Sequence, residues 1–218
     1  RSRIPAEPLF RSSIGSLVRA NTYINKERKK YGQNLLLIDN GDILQGQPCT
    51  YWSNFVATDE ENLAARVVNY MNYDVETFGN HDVEPGHKVY DKWISEVRCP
   101  MIGANIVKEG CKGKEANPAN IYNGVKPYTV HVKDGVKICI IGMLSPAIPS
   151  WLNQQIWKGI EFEEMTASAR KWVAYVKQHE QPDLIIGLFH SGFNGGIKTD
   201  EYDEDATELV AKQVPGFD

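Results

Sequence analysis

"YTVHVKDGVKICIIGML", residues 128–144, holds two β-prone runs on either side of Asp134-Gly135. Asp-Gly between alternating runs is a strong hairpin signal, because both turn positions favour residues that tolerate positive φ. At least one pair of strands is therefore expected to be antiparallel. The rest of the chain follows another rhythm, in which an amphipathic helix leads into a short apolar run that ends in a polar turn. Ile14, Leu17, Val18 and Ile24 recur at helical spacing after Ser12 or Ser13 as N-cap, Gly32 supplies a stop, and "NLLLID" (34–39) reads as a buried strand. Leu63, Val67, Tyr70 and Met71 mark one helical face before "YDVETFG", and Val89, Trp93, Ile94 and Val97 mark another before "MIGANI". Met165, Ala169, Trp172, Val173 and Val176 line a long helix stopped by Pro182, which delivers "DLIIGLFHSG" as a further buried strand. "DEDATELVAKQV" closes the series as a helix with acids at its start, as the helix dipole prefers. Parallel and antiparallel strands alternating with helices make a layered α/β domain.

Composition narrows the function classes. With 218 residues, 42% hydrophobic and 24% charged, the chain has the profile of a globular domain and not of a disordered one. A net charge of −4 gives no electrostatic basis for a nucleic-acid partner. "KERKK" (26–30), the one basic cluster, ends a helix, where cations suit the dipole. No run approaches the roughly 20 apolar residues of a membrane span. There is no signal-peptide pattern, and since the chain starts at Arg1 nothing follows from that. Cys49, Cys99, Cys111 and Cys139 lack zinc-knot spacing; Cys139 reads as a buried thiol, and a Cys99–Cys111 pair is left open.

In such a fold the chemistry gathers where strands run out into loops. Three loops qualify: "DNGDILQG" (39–46), "GNHDVEPG" (79–86) and "FHSGFNGG" (189–196). Taken singly, Asp42, Asn80 and His190 read as turn or strand-end residues. Together they put Asp, Asn and His beside glycines at three strand ends, which is a mixed oxygen and nitrogen donor set for a divalent metal. His81, followed directly by Asp82, need not be a ligand; a carboxylate-oriented imidazole can donate a proton to a leaving oxygen.

"GDILQG", "GNHD" and "FHSG", in this order, resemble the catalytic domain of the calcineurin-like metallophosphoesterases. "LLLIDNGDILQGQP", "LSPAIPSWL" and "PDLIIGLFHSG" are most similar to its 5′-nucleotidase and 2′,3′-cyclic-nucleotide phosphodiesterase branch. The resemblance implies a four-layer αββα sandwich of two mixed sheets flanked by helices. It also implies phosphate-ester hydrolysis by a water activated between two divalent metals (Zn, Mn, Fe or similar). Carried over, Asp42 is the bridging carboxylate, Asn80 and His190 are ligands of the second metal, and His81 with Asp82 is the transition-state-stabilising dyad. The implied partner is a small nucleotide or other phosphate ester, and the implied setting is extracytoplasmic.

The chain departs from the family pattern in two places. Neither the Asp-x-His of its first strand nor its Gly-His-x-His loop occurs, and the separate C-terminal nucleotide-binding domain is absent. The expectation is a single catalytic domain over 1–218, incomplete at both termini and inactive in isolation. A catalytically inert fragment or pseudo-enzyme serving as a binding module is the alternative. "SPAIPSWLNQQIWKG" (145–159), with Ile148, Trp151 and Trp157, reads as a packing loop in preference to a cleft wall. His87 and His131 read as surface or turn residues.

Overall fold

The computed structural model describes residues 16–218, so the capping roles of Ser12 and Ser13 and the position of Ile14 lie outside the described residues. The chain divides into two units, one running to Leu36 and the other spanning Leu37–Asp218. Within the first, helix α1 (Leu17–Tyr31) is capped by Ser16, whose side chain accepts from the Arg19 amide. It ends at Gly32 in a positive-φ conformation, with Arg28, Lys29 and Lys30 in its last turn.

In the second unit the helices are α2 (Pro48–Phe55), α3 (Leu63–Met71), the short α4 (Asn80–Val83), α5 (His87–Glu96), α6 (Ile148–Trp151), α7 (Met165–His179) and α8 (Thr207–Gln213). The strands are β1 (Glu76–Thr77), β2 (Met101–Ile102), β3 (Ile106–Lys108), β4 (Tyr128–Lys133), β5 (Val136–Leu144), β6 (Ile160–Phe162) and β7 (Leu184–His190). Strands β4 and β5 form the antiparallel hairpin, with Asp134 at φ 50° and Gly135 at φ 82° in its turn. Strand β5 also pairs in parallel with β7, so the three-stranded sheet is mixed. Strands β1 and β2 pair in parallel, and β3 and β6 antiparallel. Sheets of mixed direction flanked by helices make up the layered α/β architecture.

The core explains this arrangement. Cys139, Ile141 and Met143 of β5 pack with Met165, Ala169, Trp172, Val173 and Val176 of α7, while Val89, Tyr90, Trp93 and Ile94 of α5 bury the opposite flank. Two expected strands are weaker than their apolar runs suggest. Residues 34–39 carry a single bridge, Ile38 to Val75, because the Leu37 amide is taken by the Asp74 carboxylate. Strand β7 is only partly buried, with Leu184 and Gly187 exposed, since among the described residues it pairs with β5 on one side alone. On α3 the buried face is Ala64, Ala65, Val68 and Met71, and Tyr70 points to solvent. All four cysteines are free thiols, and Cys139 is buried.

Candidate active site at the strand ends

The loop after residue 38 makes a tight turn in which Gly41 has φ 84° and Asp42 has φ 67°, a conformation a non-glycine residue rarely adopts. Glycine is required here and across the gap. A Cβ on Gly41 would lie 2.2 Å from the Gly79 nitrogen, and one on Gly79 would lie 2.0 Å from Asp42 Oδ1. The two loops therefore interlock at backbone distance. Asp82 holds them together: its Oδ2 accepts from the amides of Gly79 and Asp42, both at 2.7 Å, and its Oδ1 accepts from the Leu44 amide at 2.8 Å. It is fully buried, and burial pushes its carboxyl up to about 6 against the pull of those three amides.

On this scaffold the structure brings Asp42, Asn80 and His190 to one point. His190 Nε2 lies 3.1 Å from Asn80 Oδ1 and 3.2 Å from Asp42 Oδ2. Its other nitrogen, Nδ1, sits 2.5 Å from the Asn40 carbonyl, and the Asn40 side chain in turn donates to the Phe189 carbonyl. A carbonyl can only accept, so Nδ1 carries the hydrogen and the neutral ring aims a lone pair from Nε2 at two more acceptors. Three lone pairs converging without a donor among them need a positive charge, which a proton or a metal ion can supply. Burial opposes ionisation of Asp42, but the His190 ring and the His81 amide outweigh it and hold the carboxyl below its ordinary range. Burial likewise opposes protonation of His190, and Asp42 with the Asn40 carbonyl outweighs it, so the ring is raised. These donors fit a divalent cation, with the Nδ1 to carbonyl anchor usual behind a ligating histidine. Among the described residues no three His, Cys, Asp or Glu side chains cluster for a metal; the third donor here is an amide oxygen.

His81 also reaches the site, since its backbone amide donates to Asp42 Oδ1 at 2.9 Å. Its ring does not pair with Asp82, and that expectation is corrected. Adjacent residues of a helical turn point to different sides, whereas residues three apart share a face. Accordingly Asp82 points into the protein, and His81 Nδ1 lies 2.7 Å from Glu84 Oε1. The contact is close but not aligned as a hydrogen bond, so among the described residues Nδ1 has no hydrogen-bond partner. Glu84 also accepts from the Gln45 side chain. Sequence reading missed Glu84; its spacing from His81 within "NHDVE" was the available signal.

Two further features add to or depart from the preferred sequence reading. Glu76 on β1 is fully buried beneath the site, and neither of its oxygens has an aligned hydrogen bond. Burial first, then the charges of Asp39 and Asp82, push its carboxyl up to about 10, and Asp39 is raised as well, chiefly by burial. The proton that Glu76 keeps faces the neighbouring Asp39 carboxylate, which can share it. The second is Trp151, read as a packing residue. Ile148 is buried and the Trp157 indole bonds the Leu152 carbonyl, as packing residues do, but Trp151 is 39% exposed and lines a cavity with Asn80 and His190. His87 is no loose surface residue either: its ring bridges Asp91 and the Lys158 carbonyl.

Comparison with known proteins gives similarity in sequence and in fold. No family model matches the chain. It is 28% identical over 176 residues to a 2′,3′-cyclic-nucleotide 2′-phosphodiesterase/3′-nucleotidase of Haemophilus influenzae, covering 80% of the chain and 26% of that protein. It is 30% identical over 210 residues to a 5′-nucleotidase of Diplobatis ommata, covering 96% of the chain and 32% of the relative. The chain therefore spans a third or less of the length of these relatives. Among solved structures, the calcineurin-like phosphoesterase YfkN from Bacillus subtilis superposes with a TM-score of 0.75 at 24% identity, over 93% of this chain and 61% of that one.

Proposed function

From homology to the 5′-nucleotidases and 2′,3′-cyclic-nucleotide phosphodiesterases, within the calcineurin-like phosphoesterase fold, we propose that the chain is the catalytic core of a metal-dependent phosphate-ester hydrolase acting on nucleotides. The observation that carries this reading is the convergence of the Asp42, Asn80 and His190 donors on one point, with His190 locked by Asn40.

Asp42, Asn80 and His190 would hold a divalent cation. When bound, such an ion supplies Lewis acidity toward phosphoryl oxygens and a lowered pKa for water. The remaining work belongs to the chain. Asn40 fixes the His190 tautomer, and Asp82 fixes the turn that presents Asp42. We read His81, partly exposed and beside Glu84, as the donor of a proton to the departing ester oxygen, a reading that its contact with Glu84 supports. Glu84, and not Asp82, is the carboxylate beside the His81 ring, and we assign the orienting role to it. Three donors suffice for one cation, since a catalytic zinc typically keeps about three protein ligands. A second cation would share Asp42 and draw its other donors from beyond these three residues. We read the chain as part of one catalytic domain of a larger protein, working outside the cytoplasm on small phosphate esters. No described helix is long and apolar enough to cross a membrane.

The test uses the full-length protein, stripped of metal and then titrated with Mn²⁺ or Zn²⁺, with phosphate release followed from nucleoside monophosphates and 2′,3′-cyclic nucleotides. Metal-dependent release is expected, and its loss in Asp42→Ala ties it to this site. No release with any divalent ion would overturn the reading.

A further inference from the structure

Glu76 lies outside the donor set of the site, yet it is the costliest side chain beneath it. It is fully buried on β1, and among the described residues neither of its oxygens accepts a hydrogen bond. A buried carboxylate ion without a donor or a counter-charge is expensive, so the group keeps its proton. The resulting O–H then needs an acceptor.

The backbone supplies one. Ile38 bridges Val75 in parallel, and the Asp39 amide donates to the Val75 carbonyl at 3.0 Å. One residue further along, Asp39 and Glu76 are cross-strand neighbours on the same face, with their backbones about 4.8 Å apart. Their side chains meet there, the Glu76 acid donating to the Asp39 carboxylate, which also bonds the Tyr73 side chain. Asp39 passes the constraint on, because its Oδ1 accepts from the Gly41 amide at 2.9 Å. That N–H and the Asn40 carbonyl are the two ends of one peptide group, which is planar and rigid. The Asn40 carbonyl is the acceptor that holds His190 Nδ1 at 2.5 Å. Fixing one end of the plane fixes the other. Negative charge at the N–H end also polarises the carbonyl and strengthens its hold on the ring. At the far side of that ring, Nε2 faces Asn80 and Asp42.

We propose that Glu76 is a positioning residue of the cation site, whose buried O–H acts through Asp39 and the 40–41 peptide to set the orientation and donor strength of His190. Without that O–H, the Asp39 carboxylate loses the partner that turns Oδ1 toward Gly41, and the peptide plane is free to tilt. The relay stands behind the ligands and touches neither the ion nor the substrate. It acts on affinity for the ion and leaves the choice of ester unchanged. The inference rests on the reading of Asp42, Asn80 and His190 as donors to a divalent cation.

The experiment titrates Zn²⁺ into metal-stripped full-length protein by calorimetry, comparing wild type, Glu76→Gln and Glu76→Met. The three side chains have similar length; Gln keeps a hydrogen-bond donor for Asp39, and Met has none. Met suits a buried site, so a change in affinity is separable from unfolding. His190→Ala identifies the heat that belongs to this site. Losing a partner behind a metal-bound histidine typically costs about 10-fold to 100-fold in metal affinity. Expected is an about tenfold weaker Zn²⁺ Kd in Glu76→Met, against a Kd within about twofold of wild type in Glu76→Gln. Proton NMR of the Zn²⁺ form should show the His190 Nδ1–H far downfield in wild type and Glu76→Gln, and displaced upfield in Glu76→Met. Three equal affinities, equal weakening in both variants, or weakening in Glu76→Met with an unmoved Nδ1–H signal would overturn the proposal. If nucleotides are hydrolysed and both variants bind Zn²⁺ like wild type, the hydrolase reading survives and this inference falls. A donor-dependent Kd and Nδ1–H signal in a protein that turns over no nucleotide supports the inference and sinks the hydrolase reading.

Discussion

Replacing Glu76 by Gln should stabilise the protein in a way that grows with pH. The fold keeps this acid neutral, moving it from an ordinary 4.5 to about 10, through burial and the neighbouring Asp39 and Asp82 charges. A raised carboxyl binds its proton in the folded state while the unfolded chain has released it. Its stabilising contribution is complete below pH 4.5 and is lost progressively as pH rises toward 10. Between those limits the slope approaches about 1.4 kcal/mol per pH unit, so folding at pH 7 carries a burden on the order of 3 kcal/mol from this one group. Gln has the same shape, is neutral at every pH, and can donate an N–H toward Asp39. Urea unfolding followed by circular dichroism should therefore give matching stabilities near pH 4.5 and a gap that widens to about 3 kcal/mol at pH 7. A shallow slope should remain in Glu76→Gln, because Asp39 is itself raised, chiefly by burial. Parallel stability curves for the two proteins would show that Glu76 is not held neutral and would refute the reasoning.

Three other outcomes are expected. His81→Ala should lower turnover by about 10² to 10⁴ while metal content, read by elemental analysis, stays near wild type; Asp42→Ala should lose both together, and equal metal loss in the two would make His81 a ligand. Glu84→Gln should slow esters with poor leaving groups more than p-nitrophenyl phosphate, whose leaving group needs little protonation; a uniform loss would remove Glu84 from any partnership with His81. Gly79→Ala puts a methyl 2.0 Å from Asp42 Oδ1 and 2.5 Å from its amide, so it should lower stability by about 1 to 3 kcal/mol and weaken metal binding in calorimetry. Wild-type affinity in that variant would mean that the two loops are not locked.

Pattern in the sequence was informative where one local rule decided the outcome. The Asp134-Gly135 turn admits one strand geometry, and every residue of the α7 stripe of Met165, Ala169, Trp172, Val173 and Val176 is buried, with Thr166 and Ser168 joining that face. Asp42, Asn80 and His190 were nameable because ligand-type residues next to glycine at strand ends are uncommon in combination. What stayed hidden depends on direction and neighbours. Asp82 and Glu84 both follow His81 closely, and only the helical turn of α4 shows that one points inward and the other sits beside the ring. Glu76 looked like one polar residue in an apolar run, and its burial depends on strands from distant segments. The thin pairing at residues 34–39 arises from the Asp74 side chain competing for the Leu37 amide, a tertiary contact no periodicity can reveal.

The Asp82 latch also bears on how the site moves. One carboxylate gathers amides from both loops, so a movement of the Asp82 side chain releases Asp42, Gly79 and Leu44 together. Hydrogen exchange at these three amides is expected to slow and quicken together, as a single cooperative unit. Half-open states, in which one loop yields while its neighbour stays, are thereby suppressed. The wall beside Asp42 is thus expected to hold or yield as one piece.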